Sequence, residues 1–354
     1  MKIAIVAPPW VAVPPVGYGG TEAVLDGLAR GLSVAGHDVL LFTTGDSACP
    51  VPKAWVFEKA VGIGIGGAVT ELRHVIHAYE AVRHYDIVHD HTLVGPVYAD
   101  RFPGLPVVTT NHRPFDGDLR DYYWAIADRV PIIAVSQHQV STARDIPVAG
   151  VIHHGIDMSK FTLGAGRGGY ALFLGRMSPD KGVHTAARVA REAGVPLKIA
   201  AKLREQPEHE YFEERVRPLL GGDIEFLGEV CGATKHELLG NALCLLNPMA
   251  WPEPFGMVMI EALASGTPIV ATPRGAAPEI VDDGVTGHLR IGEEALAVAL
   301  QRVGSLDRTA CRKVAEARFS LEHMVAGHVA LFERIVGGEV PHGSFEVLAE
   351  ASSA

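Results

Sequence analysis

Short runs that are apolar on both faces, each followed by a helix-like stretch, limit this chain more than any other feature. "KIAIVA" (2–7) has the composition of a strand buried on both sides of a sheet. A Gly/Pro loop, "PPWVAVPPVGYGG" (8–20), separates it from a helix opened by Thr21 and Glu22, with Val24, Leu25, Leu28 and Leu32 on one face. Gly36 ends that helix, and "DVLLFT" (38–43) is the next strand. The same alternation continues through "DIVHDH" (86–91), "PVVTTNH" (106–112) and "PIIAVS" (131–136). Strands that alternate with helices form a parallel sheet, and ligands bind at the carboxyl ends of such strands.

The pattern restarts after "TLGAGRGG" (162–169), four glycines in eight residues and the best linker candidate in the chain. Past it come "YALFLG" (170–175), a helix over 183–193, "PLKIAA" (196–201), a helix over about 208–220 and "IEFLG" (224–228). "LCLLNP" (243–248), an apolar helix within "WPEPFGMVMIEALASG", "PIVATP" (268–273) and "GHLR" (287–290) complete the set. At 354 residues the chain is too long for one ordinary domain. The expected fold class is therefore α/β, with two doubly wound domains at 1–165 and 166–320. A C-terminal helix (321–336) is expected to pack back toward the first domain, followed by a loosely ordered tail (337–354).

Charge narrows the partners. The net charge is −10, with 12 Lys+Arg against 16 Asp+Glu in residues 1–165 and 19 against 25 in the rest. This argues against nucleic acid as a partner, because phosphate binding needs clustered cations. An anionic membrane surface is a poor one for the same reason. Cys49, Cys231, Cys244 and Cys311 show no CxxC spacing and read as buried free thiols in a reducing cytosol. The N-terminal apolar run stops at Pro8-Pro9, too short for a signal peptide, and no stretch reaches 18 apolar residues. A cytoplasmic location is expected, as a monomer or homodimer.

Two carboxylates stand out. Pro252 and Pro254 restrict the backbone on both sides of Glu253, and a helix starts near Gly256. The first N–H groups of that helix, at Phe255, Gly256 and Met257, form a site for anionic or hydroxyl oxygens. Glu261 follows roughly 7 Å further along, at 1.5 Å per residue. Two such acceptors suit two sets of hydroxyls on one elongated ligand; the alternative is a buried helix with an incidental acidic entrance. In "LFLGRMSPDKG" (172–182), Arg176 follows a strand and Lys181 lies five residues on. Two cations at a strand end can hold a diphosphate, each charge-assisted bond contributing about 1.5–3 kcal/mol. A plain Gly-Arg turn with a surface lysine is the other reading.

"EPFG" through Glu261, "GTPIVAT" and "GRMSPDKG" together resemble the retaining glycosyltransferases of family 4. The likeness extends over nearly the whole chain, through "YGGTEAVLDGLARGLSVAGHDVLLFT", "VIHHGIDMSKF" (151–161) and "GAAPEIVDDGVTGHL" (275–289). It implies the GT-B fold, two Rossmann-like doubly wound parallel-sheet domains facing a central cleft. The first would be the acceptor side and the second would bind the nucleotide sugar. The resemblance further implies that Glu253 binds hydroxyls of the donor sugar, helped by the N–H groups of Phe255, Gly256 and Met257, and that Glu261 accepts from the ribose. Arg176 and Lys181 would neutralise the departing diphosphate, approached by Gly19 and Gly20. His112 would line the reaction centre, and the base would lie against Leu227 and Val230.

The implied activity is transfer of a hexose-type sugar from a UDP-sugar, or next a GDP-sugar, to a hydroxyl of a small-molecule or glycan acceptor. No cofactor and no metal are implied, since the positive side chains do a metal's work. Tyr18, His91, Asp116 and Asp118 are the candidate acceptor contacts.

Other features carry less. His154 stands where the family usually has asparagine, and "KLREQPEHEYFEERVRPLL" (202–220) replaces a usual glycine-rich turn. That segment reads as an exposed charged helix, with Lys202 or Arg204 as a candidate further phosphate contact. "HDH" (89–91) cannot aim three adjacent side chains at one ion. "DGD" (116–118) imitates a metal motif outside its context. "GIGIGG" (62–67) reads as a flexible loop, and "DYYWAIADRV" (121–130) as helix core. The competing functions are a nucleotide-sugar epimerase of the same fold, a dinucleotide-dependent oxidoreductase and a non-catalytic nucleotide-sugar-binding protein.

Overall fold

The computed structural model describes residues 1–62 and 66–339. Part of 62–67 and the tail from 340 lie outside the described residues. The backbone divides into two compact units, Met1–His153 together with the residues from Met324, and His154–His323.

The first unit holds a seven-stranded, wholly parallel sheet: β1 (Lys2–Val6), β2 (Asp38–Thr43), β3 (Lys53–Trp55), β4 (Ile87–Asp90), β5 (Val107–Asn111), β6 (Ile132–Ala134) and β7 (Gly150–Val151), in the order β3-β2-β1-β4-β5-β6-β7. The expected strands are all present because their side chains are buried on both faces, as at Ile3, Ile5, Ile87 and Val108. Short edge strands β3 and β7 were not foreseen; neither is buried throughout. The helix expected from Thr21 spans Gly20–Val34 and turns Val24, Leu25, Leu28 and Leu32 inward.

The second unit repeats the plan with six parallel strands: β8 (Ala171–Arg176), β9 (Leu197–Lys202), β10 (Ile224–Gly228), β11 (Cys244–Asn247), β12 (Ile269–Ala271) and β13 (Gly287–Leu289), in the order β10-β9-β8-β11-β12-β13. Its core joins Phe173, Ile199, Leu246 and Val270 to the helix Val183–Ala193. In both sheets the strand order reverses once, beside β1/β4 and beside β8/β11. Those switch points are where a doubly wound sheet opens a crevice at its strand ends.

Three expectations need correction. The glycine-rich stretch 162–169 is part of the second unit and runs along its surface. Gly166 and Gly168 donate to the Gly240 and Asn241 carbonyls, and the Arg308 guanidinium bridges Gly164, Gly240 and Ala242. The segment 202–220 is helical over 206–219, close to the helix expected there, and exposes most of its charges. It passes, however, from the α-helix Gln206–Tyr211 into a wider turn (Phe212–Val216) and a tighter one (Arg217–Leu219), and buries Tyr211, Phe212 and Val216 on its inner side. Among the cysteines, Cys231 is exposed; the other three are buried.

Candidate active site

In the second unit, β8 ends on Arg176 and the chain turns through Pro179–Lys181 into the helix Val183–Ala193. The turn is pressed against the loop after β11: Ala250 N donates to Asp180 O at 2.9 Å, and a Cβ on Gly182 (φ +74°) would lie 2.1 Å from Pro248 O. Only glycine fits there. The loop after β11 carries Glu253 and ends at Gly256, which caps the helix Met257–Ala264.

These two loops bring Lys181 and Glu253 into direct contact, Nζ to Oε1, with side chains only 10% and 18% exposed. The Lys181 ammonium also lies 5.5 Å from the centre of the Trp251 ring. Arg176 is half-exposed and bonds Asp180 through Nη2 (3.2 Å). One helical stretch beyond, Glu261 accepts from Lys235 Nζ at 2.7 Å. Both motif carboxylates are thus held by lysines. A buried ion pair costs desolvation and adds little net stability, so neither the loop pair Lys181–Glu253 nor the helix-to-helix pair Lys235–Glu261 is accounted for by stability alone.

A third loop supports the first two. Gly275 (φ +60°) sits so close to Glu253 that a Cβ would meet its carbonyl at 2.2 Å and its nitrogen at 2.4 Å. Ala276 N donates to Glu253 O at 3.0 Å, and Thr272 Oγ1 to Met249 O at 2.7 Å. Phe255 and Gly256 are buried and Met257 half-buried at the helix start. Leu227 ends up near the end of β10 and Val230 in the loop after it, both half-buried. Lys202 is engaged by Glu205 and Glu208, and Arg204 makes a two-pronged pair with Glu229 at 2.8 and 2.9 Å. Those bonds hold both cations that the sequence offered as further phosphate contacts.

The first unit's strand ends are built differently. Gly19 and Gly20 stand at the start of the first helix, Gly19 against Pro15 and Glu22, Gly20 with open space where a side chain would go. β4 runs into His91, whose Nδ1 lies 2.8 Å from His112 Nε2 just past β5. His89 is fully buried, 2.7 Å from Thr110 Oγ1 and against the rings of His91, His328 and Phe332. Burial, with a smaller contribution from His328, pulls the His112 pKa down to about 4. Burial likewise lowers His328 to about 4 and His89 well below the usual range. His89, His112 and His328 are therefore neutral imidazoles at neutral pH.

Between the histidines, Asp90 takes bonds from Tyr79 Oη and from the N–H and hydroxyl of Thr92, and burial raises its carboxyl to about 7. The three "HDH" side chains thus go to different partners. Among the described residues no group of three or more His, Cys, Asp or Glu is arranged to hold a metal ion. Of the acceptor candidates, Tyr18 is exposed, Asp116 stands just before the helix Gly117–Ile126 and Asp118 sits in its first turn, both exposed. That helix buries Tyr123 and Ile126 but exposes Trp124, so its aromatic stretch is only partly core.

Lys235, Gly275, His328 and Gln139 were not singled out from sequence. Only Gly275 lay in a quoted motif; the others reach the site by tertiary packing alone.

Two parallel-sheet Rossmann-like units with their polar residues at the switch-point strand ends define the GT-B class of sugar transferases. The profile of a family described as Glycosyltransferase Family 4 matches residues 18–160, and that of Glycosyl transferases group 1 matches 159–317. The chain belongs to the glycosyltransferases of family 4. It is 28% identical over 338 residues to a phosphatidyl-myo-inositol mannosyltransferase of Mycolicibacterium smegmatis, covering 87% of this chain and 85% of the relative. Its fold is similar to that of AviGT4, a glycosyltransferase involved in avilamycin A biosynthesis (TM-score 0.73, 25% identity, 96% and 98% of the two chains). It is also similar to a sucrose-phosphate synthase from Thermosynechococcus elongatus (TM-score 0.81, 19% identity, 96% and 100%). No helix among the described residues is long and apolar enough to cross a membrane.

Proposed function

We propose that this glycosyltransferase moves a hexose-type sugar from a nucleoside-diphosphate sugar to an acceptor hydroxyl, with retention and without a metal ion. The Lys181–Glu253 contact at the β8/β11 switch point carries the reading. A carboxylate that only accepts suits sugar hydroxyls, and an ammonium beside it suits the diphosphate.

As the bond from the anomeric carbon to the phosphate oxygen breaks, negative charge grows on the diphosphate. Lys181 and Arg176, with the N–H groups at the start of the helix Met257–Ala264, stabilise that charge. The acceptor oxygen forms the new bond from the same face, and its proton passes to the leaving phosphate oxygen. Neither Glu253 nor Glu261 acts as a glycosidase-type acid or nucleophile. Glu261 takes the ribose hydroxyls, Leu227 and Val230 the base. The neutral His112 lines the reaction centre from the first unit, with Tyr18, His91, Asp116 and Asp118 as acceptor contacts and Gly19 and Gly20 near the diphosphate.

UDP is the base-bearing group we place first, GDP next. A relative named as a mannosyltransferase supports a hexose as cargo. The acceptor we favour is soluble; the same relative's name favours a second one, phosphatidyl-myo-inositol. The four free cysteines suit the cytoplasm.

The test is transfer by Glu253→Ala and Arg176→Ala with the fold verified by circular dichroism. Loss of transfer in both supports the assignment, and full activity in both removes it. Transfer that EDTA abolishes and Mg²⁺ restores contradicts the metal-free mechanism. Turnover of donor without any acceptor would indicate an epimerase instead.

A further inference from the structure

Gln139 lies in the short helix Gln137–Ser141 after β6 and is 1% exposed. An apolar side chain would fill such a place without the cost of burying an amide. Every polar atom of this amide is used. Its Oε1 accepts from Val135 N at 2.7 Å, and its Nε2 donates to Asn111 O at 2.9 Å and to Arg113 O at 2.6 Å. Those two carbonyls belong to the residues on either side of His112.

The same short segment is tied twice more. Asn111 Oδ1 accepts from Arg113 N at 2.9 Å, closing a turn around His112. Ser136 Oγ accepts from Gln139 N at 3.1 Å and fixes the start of the helix that carries the glutamine. The imidazole itself is met by His91, just past β4, whose ring lies tilted against that of the buried His89. One side chain thus holds the carbonyls of both residues flanking His112 while another holds its ring.

We propose that Gln139 is a positioning residue for the transfer reaction: by fixing the backbone on both sides of His112 it sets the direction in which that imidazole leaves the end of β5. It touches only backbone and is not catalytic. The inference rests on the reading of His112 given under the proposed function.

The test compares Gln139→Met and Gln139→Glu with the wild type and with His112→Ala, using the full chain. Glutamate keeps the acceptor for Val135 N but turns a carboxylate on two carbonyls, so it should fail as methionine does. A small misplacement of a reacting-site group costs up to about 100-fold in rate. We expect kcat to fall by about 10- to 100-fold while the donor KM changes by less than about twofold. The imidazole ¹⁵N signals of His112, assigned by their loss in His112→Ala, should shift. Those of His74, which bonds Ala7 O, should not.

A folded Gln139→Met protein with wild-type kcat and unmoved His112 signals overturns the proposal. If that variant does not fold, Ser136→Ala, which only loosens the helix start, gives the same two readouts at smaller size. Unchanged kcat and signals there overturn it equally. Full transfer by His112→Ala would instead remove the role of His112, and the ¹⁵N shifts would still decide whether Gln139 positions it.

Discussion

The two sheets share one plan but end in opposite chemistry. At β8/β11 the side chains are charged and paired, Lys181 with Glu253, and between the helices on either side of β11 Lys235 pairs with Glu261. At β4/β5 they are imidazoles that burial keeps neutral, His89 and His112 with His328 packed beside them, and a raised Asp90 between. Under the proposed function, the difference follows from the burden each end would carry. A diphosphate needs countercharge and accepts the desolvation of lysine; a region that meets an uncharged hydroxyl gains nothing from a net charge. One doubly wound sheet thus serves either role, depending only on what its strand ends display.

The largest effect should come from breaking the charged end. Glu253→Ala or Lys181→Ala should each lower transfer by about 10²- to 10³-fold, measured as initial rate at saturating donor. Comparable losses from changes at exposed Asp116 or Asp118 would erase the contrast between the two ends.

Acid should break the other end first. The folded-state pKa values of His74, His112 and His328 lie near 4, below the 6.5 of a free imidazole, and burial holds His89 well below that value too. The unfolded chain therefore binds more protons as pH falls. The stability these groups contribute is complete above about pH 6.5 and is lost toward pH 4, each imidazole giving up about 1.4 kcal/mol for every pH unit crossed between its unfolded and folded pKa. Asp90, raised to about 7, opposes this, but it is one carboxyl against several imidazoles. Hydrogen exchange from pH 7 to 4.5 should show protection in β4 and β5 falling before that in β8 and β11. Simultaneous loss in both sheets would contradict the assignment.

Smaller effects sharpen the charged end itself. Lys235→Ala leaves Glu261 without its lysine and should raise the donor KM about tenfold at nearly constant kcat, the loss of one charge-assisted bond. Arg204→Ala breaks an exposed pair with Glu229 and should change donor KM by less than about twofold and stability by under about 1 kcal/mol.

What the sequence made legible followed from local physics. Buried parallel strands are apolar throughout, so "KIAIVA", "DVLLFT" and "LCLLNP" announce themselves, whereas Lys53–Trp55 and Gly150–Val151 are too short and too exposed. Arg176 and Lys181 fall within one short motif and Glu253 and Glu261 within another, so all four could be picked out. Lys235 could not, because its partner is 26 residues away and no spacing rule links them. Gln139 reads as an ordinary polar helix residue until its three backbone partners are seen. The glycines of 162–169 read as a linker, although their backbone groups bond within a packed unit.

The central claim is that Lys181, Arg176 and Glu253 hold the donor. Calorimetric titration of UDP-, GDP- and ADP-sugars into the wild type and into a folded Lys181→Ala/Glu253→Ala variant, in EDTA, tests it most directly. The account predicts that one of the three sugars binds the wild type and binds the variant at least about 100-fold more weakly, a loss of about 2.7 kcal/mol. Equal binding by both proteins, or binding by neither, would contradict it.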